Sequence, residues 1–395
     1  MRFDLTSFIT LALLAVPALS APAPQRPGKP GKPGKPDQNA CTNPQERKEW
    51  RQLSIPQRVD FLNAVRCLHQ IPATRNNEYP GTGSDYEAFT VQHKIQTPWV
   101  HYTGLFLPWH RLFLREFERS LQEKCGYQGA LPYWDYTIDS GSGKNFTIES
   151  PVFHPEHGFG GNGEFDKNVH DILAAQGTPD FWGGGCVKTG PFKDMTFTVP
   201  QERYFNESTA PRCLKRNFFL AFTEWTTQDK EDAVYEQTNF EDMEFMLEGG
   251  HIPGQWAALH TGGHFIVGGL MPQGAYTTAG DVWTSSLEPL FYLHHANIDR
   301  VWNQWQIQNN SEHLWDIGLK TSPRADNVFG PNEDFNFVDA PVTHSTPVDL
   351  GAFGGARNQV AVGQLLDTRG GASPEGQKGV LCYKYSQPPK PARSS

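Results

Sequence analysis

His101-Tyr102-Thr103-Gly104-Leu105-Phe106-Leu107-Pro108-Trp109-His110-Arg111, continuing through Leu114 to Glu118, sets the frame for the rest of this chain. Pro108 suits a first helical turn, where its missing N–H needs no partner, and Gly126 is a natural stop, so a helix is expected over 108–124. His110, Phe113, Leu114, Phe117 and Leu121 then share one face, which sets an imidazole among core side chains. Two more blocks follow: His260-Thr261-Gly262-Gly263-His264, and Phe291-Tyr292-Leu293-His294-His295-Ala296-Asn297-Ile298-Asp299. Neutral imidazoles in two groups of three could hold a pair of copper ions, and a copper pair can bind and reduce dioxygen.

Among fourteen histidines some spacings arise by chance, so the neighbours decide. His260 and His264, four apart, would project from one side of a helix, with Gly262 and Gly263 leaving room for close approach. Thr261 stands where a zinc protease motif would carry its general-base Glu. Asp299, four residues after His295, could accept a ring N–H and fix the tautomer, and Glu118, eight residues after His110 on the same expected helix, could do the same for a histidine of the first group. His294 points about 100° away round the helix and is left out.

Further helices are expected over 50–69, with Leu53, Val59, Leu62, Val65 and Leu68 inward, and over 216–226, 239–247 and 288–308. Residues 138–213, rich in Gly, Pro, Asn and Asp, read as long loops of the kind that shape an entrance, and 360–366 as β-prone. No internal repeat is present.

With 395 residues, 37% hydrophobic and 12% aromatic, the chain can bury one large core, expected over 41–395. Residues 1–20 have the charge, short apolar run and Ala18-Leu19-Ser20 close of a secretory signal, too short to span a bilayer. Residues 21–40, with three Pro-Gly-Lys units, read as a flexible linker. Six cysteines without a Cys-x-x-Cys pair fit three disulfides in a secreted, extracellular protein, and one arrangement, Cys41 with Cys382, would tie the ends together. Asn145, Asn206 and Asn309 head glycosylation sequons. A net charge of −9, with no basic cluster outside the linker, excludes nucleic acid and an anionic membrane as natural partners.

The segment from His101 to Glu118 resembles the first copper signature of the tyrosinase, catechol oxidase and hemocyanin family throughout its length. Glu288-Pro289-Leu290-Phe291 through His295 to Asp299 resembles the second, with Glu in place of its first Asp. Tyr383-Lys384-Tyr385 looks like the Tyr-x-Tyr element that closes the family's catalytic domain. The resemblance implies a mainly α fold, an antiparallel four-helix bundle holding a dicopper centre, with long loops and a few short β-strands. It implies His93, His101 and His110 as ligands of one copper and His260, His264 and His295 as ligands of the other. Trp99 occupies the place where several members carry a thioether-forming cysteine, so no such cross-link is expected. No C-terminal lid domain is expected after Tyr385.

The activity implied is oxidation of small phenolic substrates by O2. Members that hydroxylate monophenols well often carry Asn just after the first histidine of the second site, orienting a water with a nearby Glu as base. Here Thr261 follows that histidine and Glu248 is the nearest candidate base. Catechol oxidation with weak or no monophenol hydroxylation is therefore expected. A tyrosinase with substantial monophenolase activity, an o-aminophenol oxidase and a non-catalytic O2-binding protein are the alternatives. Thr261, Phe265 and Val282 are expected to shape substrate access.

Overall fold

The computed structural model describes residues 41–74, 81–140, 149–177, 182–200, 210–249, 257–271, 277–324, 335–351 and 360–386. The expected signal segment at 1–20, the linker at 21–40 and the sequons at Asn145 and Asn206 lie outside the described residues. The chain is mainly α. Its helices are α1 (Ile55–Gln70), α2 (Asp85–Val100), α3 (Phe106–Cys125), α4 (Lys167–Ala175), α5 (Gln228–Tyr235), α6 (Phe240–Glu248), α7 (Leu259–Gly268) and α8 (Leu290–Gln308). Among the described residues, none is long and apolar enough to cross a membrane.

Local chemistry sets most helix boundaries. Ser54 and Gln57 form a reciprocal capping box at the start of α1, with Pro56 in its first turn. That cap separates α1 from a short 3-10 turn at Trp50–Gln52, so the expected single helix from 50 is divided. Phe61, Leu62, Val65 and Leu68 face inward, whereas Val59, expected with them, is 36% exposed. α3 stops at Gly126, whose φ of 70° is left-handed and whose N–H closes on the Leu121 carbonyl.

Two stretches depart from the sequence reading. α2 had no helical signal, because Pro98 interrupts its last turn and many of its buried residues are polar. Conversely, the helix expected over 216–226 gives way to extended chain and a 3-10 helix at Leu220–Trp225. There the Asn217 and Phe219 amides donate to the Val267 and Ile266 carbonyls, pairing with the end of α7 instead of forming their own turn. Arg216 holds this path, donating to the carbonyls of Phe159, Gly160 and Gly161 and pairing with Glu288 at 2.7 Å. In the β-prone stretch, only Val360–Ala361 is a strand, followed by a 3-10 turn at Val362–Gln364.

α2, α3, α7 and α8 make the helical core. Across it the Phe117 and Tyr292 rings stack, and Phe89, Phe113 and Tyr86 pack around them, all essentially buried. Each such side chain contributes about 1.5–3 kcal/mol over leaving it exposed. At the margin, β1 (Gln45–Arg47) pairs in parallel with β2 (Tyr383–Tyr385), residue 45 opposite 383. The Cys41–Cys382 disulfide lies beside this pair, and Cys67–Cys125 and Cys186–Cys213 complete three bridges.

Candidate metal centre

Each core helix brings imidazoles to one place. α2 supplies His93 and its C-cap residue His101, α3 supplies His110, α7 supplies His260 and His264, and α8 supplies His294 and His295. They fall into two groups, His93, His101 and His110 in one and His260, His264, His294 and His295 in the other, with one nitrogen from each residue within 4.8 Å of the others of its group. The groups adjoin, since the His110 and His295 rings stack at 4.4 Å. Phe106 fills the angle between them, its ring 4.9 Å from that of His110 and 4.7 Å from that of His260.

The hydrogen bonds of the ring nitrogens fix where the protons sit. His101 and His110 Nδ1 lie 3.0 and 2.8 Å from the carbonyls of Thr97 and Phe106, four residues upstream. His93 Nδ1 faces the Trp283 carbonyl and His264 Nδ1 the Ala279 carbonyl, at 3.4 and 3.2 Å. A carbonyl only accepts, so each of these Nδ1 atoms carries the proton and leaves Nε2 as a lone-pair donor. His93 and His110 Nε2 are buried with no hydrogen-bond partner. His264 Nε2 lies 3.2 Å from both His260 Nε2 and His295 Nε2. Nitrogens bonded at about 2 Å to one ion, at near-tetrahedral angles, would stand roughly 3.3 Å apart. The donor set, its orphaned lone pairs and its spacing thus fit a metal pair.

Burial keeps these rings neutral. It holds His93, His110, His260, His294 and His295 well below the ordinary imidazole range, reinforced in each by a neighbouring histidine. The same cause lowers His101 to about 4 and His264 to about 3. Neutral imidazole is the form that binds copper.

Gly262 and Gly263 leave room for side chains, where their spacing suggested backbone or ligand. A Cβ on Gly263 would meet His294 Nδ1 at 2.2 Å, and one on Gly262 would meet Thr226 at 2.8 Å. His294, omitted from the sequence reading, therefore packs directly against α7, with its ring 4.6 Å from that of His264. The i, i+1 rule sends it off the His295 face, but α7 wraps far enough round α8 to meet it.

The two carboxylates expected to orient imidazoles do not touch one. Asp299 is a buried hub that accepts from Arg111 Nε (2.5 Å), Arg47 Nη1 (3.4 Å), and the hydroxyls of Tyr383 (2.6 Å) and Tyr385 (2.5 Å). Burial opposes its ionisation, yet Arg111 and Arg47 hold its pKa below the ordinary value. Glu118 pairs with Arg47 at 2.8 Å and accepts the Leu131 amide at 2.7 Å. Both carboxylates thus join α3 and α8 to β1 and β2, and the orienting of histidines falls to main-chain carbonyls.

A cavity of about 240 Å³ opens over the histidines, lined by His101, Tyr102, His260, Thr261, His264, Phe265, Ala279, Gly280, Val282 and Ser285. Phe265 stacks on Phe222 at 5.2 Å, and Val282 is 40% exposed at the mouth. The Thr261 hydroxyl donates to the Glu248 carbonyl oxygen at 3.1 Å. Glu248 itself does not line the cavity. Its carboxylate accepts the Tyr102 amide at 2.8 and 3.0 Å and pairs with Arg324 at 3.0 Å. Burial raises its pKa well above the usual carboxylate range, against the lowering effect of the Tyr102 amide. Trp99 packs on Phe335 and Phe337, and all six cysteines are in disulfides, so no thiol is available to an imidazole.

Residues 83–308 match the common central domain of tyrosinase. The chain belongs to the tyrosinase family. The tyrosinase-like protein phomQ1' of Diaporthe leptostromiformis is 30% identical over 351 residues, covering 87% of this chain and 80% of that protein. An N-acetyl-6-hydroxytryptophan oxidase of Emericella nidulans is 29% identical over 376 residues, covering 87% of this chain and 92% of its own length. A polyphenol oxidase variant from Thermothelomyces thermophila superposes with a TM-score of 0.66 at 26% identity, covering 87% of this chain and 89% of that one. As a tyrosinase-family oxidoreductase, the protein is in a family whose members act with O2 on phenolic substrates and whose fold implies a dicopper centre.

Proposed function

We propose that the protein is a secreted catechol oxidase, converting o-diphenols to o-quinones with weak or no monophenol hydroxylation. His93, His101 and His110 would hold one copper ion, and His260, His264 and His295 the other. When bound, the copper pair supplies the redox couple that carries electrons from diphenol to dioxygen. The chain's own residues do the rest: main-chain carbonyls at Thr97, Phe106, Trp283 and Ala279 fix four imidazole tautomers, and Phe106 and Phe291 exclude water between the rings.

The preference for diphenols rests on one observation. Among the described residues that line the cavity, none is a carboxylate, and the Thr261 hydroxyl donates to a main-chain carbonyl. A monophenol arriving there meets no poised base for its proton, and a positioned base contributes about 10²–10⁴-fold.

Residues 1–20 would serve as the export signal, 21–40 as a linker and 41–395 as the catalytic domain, with the three disulfides suited to an oxidising compartment. The test is oxygen uptake by the copper-loaded protein with catechol and with tyrosine. Fast uptake with catechol and a roughly hundredfold slower tyrosine reaction is expected. Equal rates would overturn the assignment.

A further inference from the structure

Tyr102 has a φ of 57°, the left-handed region that a bulky residue rarely adopts. It directly follows His101 and lines the cavity. A strained conformer persists only where its surroundings hold it, and here both of its backbone groups are gripped. Its N–H donates to both oxygens of the Glu248 carboxylate, at 2.8 and 3.0 Å, and its carbonyl accepts the Arg324 amide at 2.8 Å. Arg324 in turn pairs through its guanidinium with Glu248 at 3.0 Å and with Glu244, one turn earlier on α6. Glu244 and Glu248 are both buried, at 0% and 1% exposure. One carboxylate would match Arg324; the second is directed at the amide of the strained residue.

We propose that Glu248 is a positioning residue that grips the Tyr102 backbone and so holds the Tyr102 ring as a wall of the phenol site, making Tyr102 a determinant of substrate choice. The Thr261 hydroxyl, donating to the Glu248 carbonyl, ties the same helix end to α7, so one residue sets the cavity wall against both histidine groups. This replaces the role of base suggested by the sequence. It rests on the reading of the cavity as a phenol site, but its central test does not need turnover.

Glycine adopts a left-handed φ without strain, so Y102G removes the ring and keeps the turn. The copper-loaded full chain carrying Y102G should retain wild-type copper content, with KM for catechol raised about tenfold and kcat changed by less than about threefold, as expected for losing an aromatic contact. Y102A, which keeps the strain and the Glu248 grip on the backbone but removes the ring, should hold copper as wild type does and share the raised KM of Y102G. E248A should shed copper from the His101 group, and adding Y102G should restore retention, because the grip is needed only by a strained residue. The same cycle run with E248M, which fills the space without an acceptor for the Tyr102 amide, covers the case in which E248A does not accumulate as folded protein. Equal copper loss on removing Glu248 in the Tyr102 and Y102G backgrounds would overturn the proposal, as would an unchanged KM in Y102G. If the wild-type protein holds copper but does not oxidise catechol, the assigned reaction fails while the copper cycle still decides the grip.

Discussion

His264 Nε2 lies 3.2 Å from His295 Nε2, although the His264 proton is held on the opposite side of its ring by the Ala279 carbonyl. A lone pair facing two other ring nitrogens is satisfied by an N–H of a neighbouring ring, by an added proton or by a metal ion, and burial disfavours the added proton. A bound copper ion and acid would therefore compete for the same atoms.

The copper-free protein should be acid-labile in a defined window. Seven histidines, six buried and His264 partly so, have folded pKa values below the unfolded value of about 6.5, so unfolding takes up protons below that pH. Their stabilisation is complete above about pH 6.5 and is lost as pH falls, until the native rings protonate at about 4 for His101 and about 3 for His264. Each ring contributes a slope of about 1.4 kcal/mol per pH unit within its window. Urea midpoints measured between about pH 7 and pH 5 should fall steeply; a flat profile would show that these rings are already charged in the fold.

Gly263→Ala should disturb one half of the centre. The added methyl meets His294 Nδ1 at 2.2 Å, forcing α7 and α8 apart at the level of His264 and His295. Overpacking of this kind costs about 1–3 kcal/mol. Copper analysis should show the content falling towards half of wild type, with helical circular dichroism retained. Full copper occupancy with unchanged stability would contradict the close contact.

Asp299→Asn removes the charge that two arginines and two tyrosines share. Leaving buried cationic partners without their anion costs about 3–5 kcal/mol. Chemical unfolding should register that loss, while the folded fraction keeps its copper, because the carboxylate touches no imidazole. Copper loss at wild-type stability would return Asp299 to the orienting role read from the sequence.

Val282→Phe should narrow the mouth of the cavity. The ratio of kcat/KM for 4-tert-butylcatechol to that for catechol is expected to fall about tenfold. An unchanged ratio would mean that substrate enters by another route.

Sequence periodicity made α3 and α8 legible, because Pro108, Gly126 and the spaced aromatics act within a turn or two of each other. It hid α2, whose buried Glu87 and Lys94 are satisfied far along the chain, by the Thr198 amide and the Pro200 carbonyl. For the same reason Asp299 was read as a partner of His295: four-residue spacing is visible locally, whereas Arg47 and Arg111 reach it only after folding. The histidine blocks were recognisable as sets, but that His294 would pack against Gly263 of α7 was not, because helical geometry alone does not say which neighbour a ring off the His295 face meets. Tyr102 carried no local signal, since its grip comes from residues more than a hundred positions away.

The strand pair of residues 45–47 with 383–385, sealed by Cys41–Cys382, gives the described fold the mechanics of a closed ring. Tension applied between residues 41 and 382 would be carried by a covalent sulfur–sulfur bond and would not reach the helices that present the imidazoles. Anchored at either margin to a surface or a matrix, the centre would keep its shape under load until that bond is reduced.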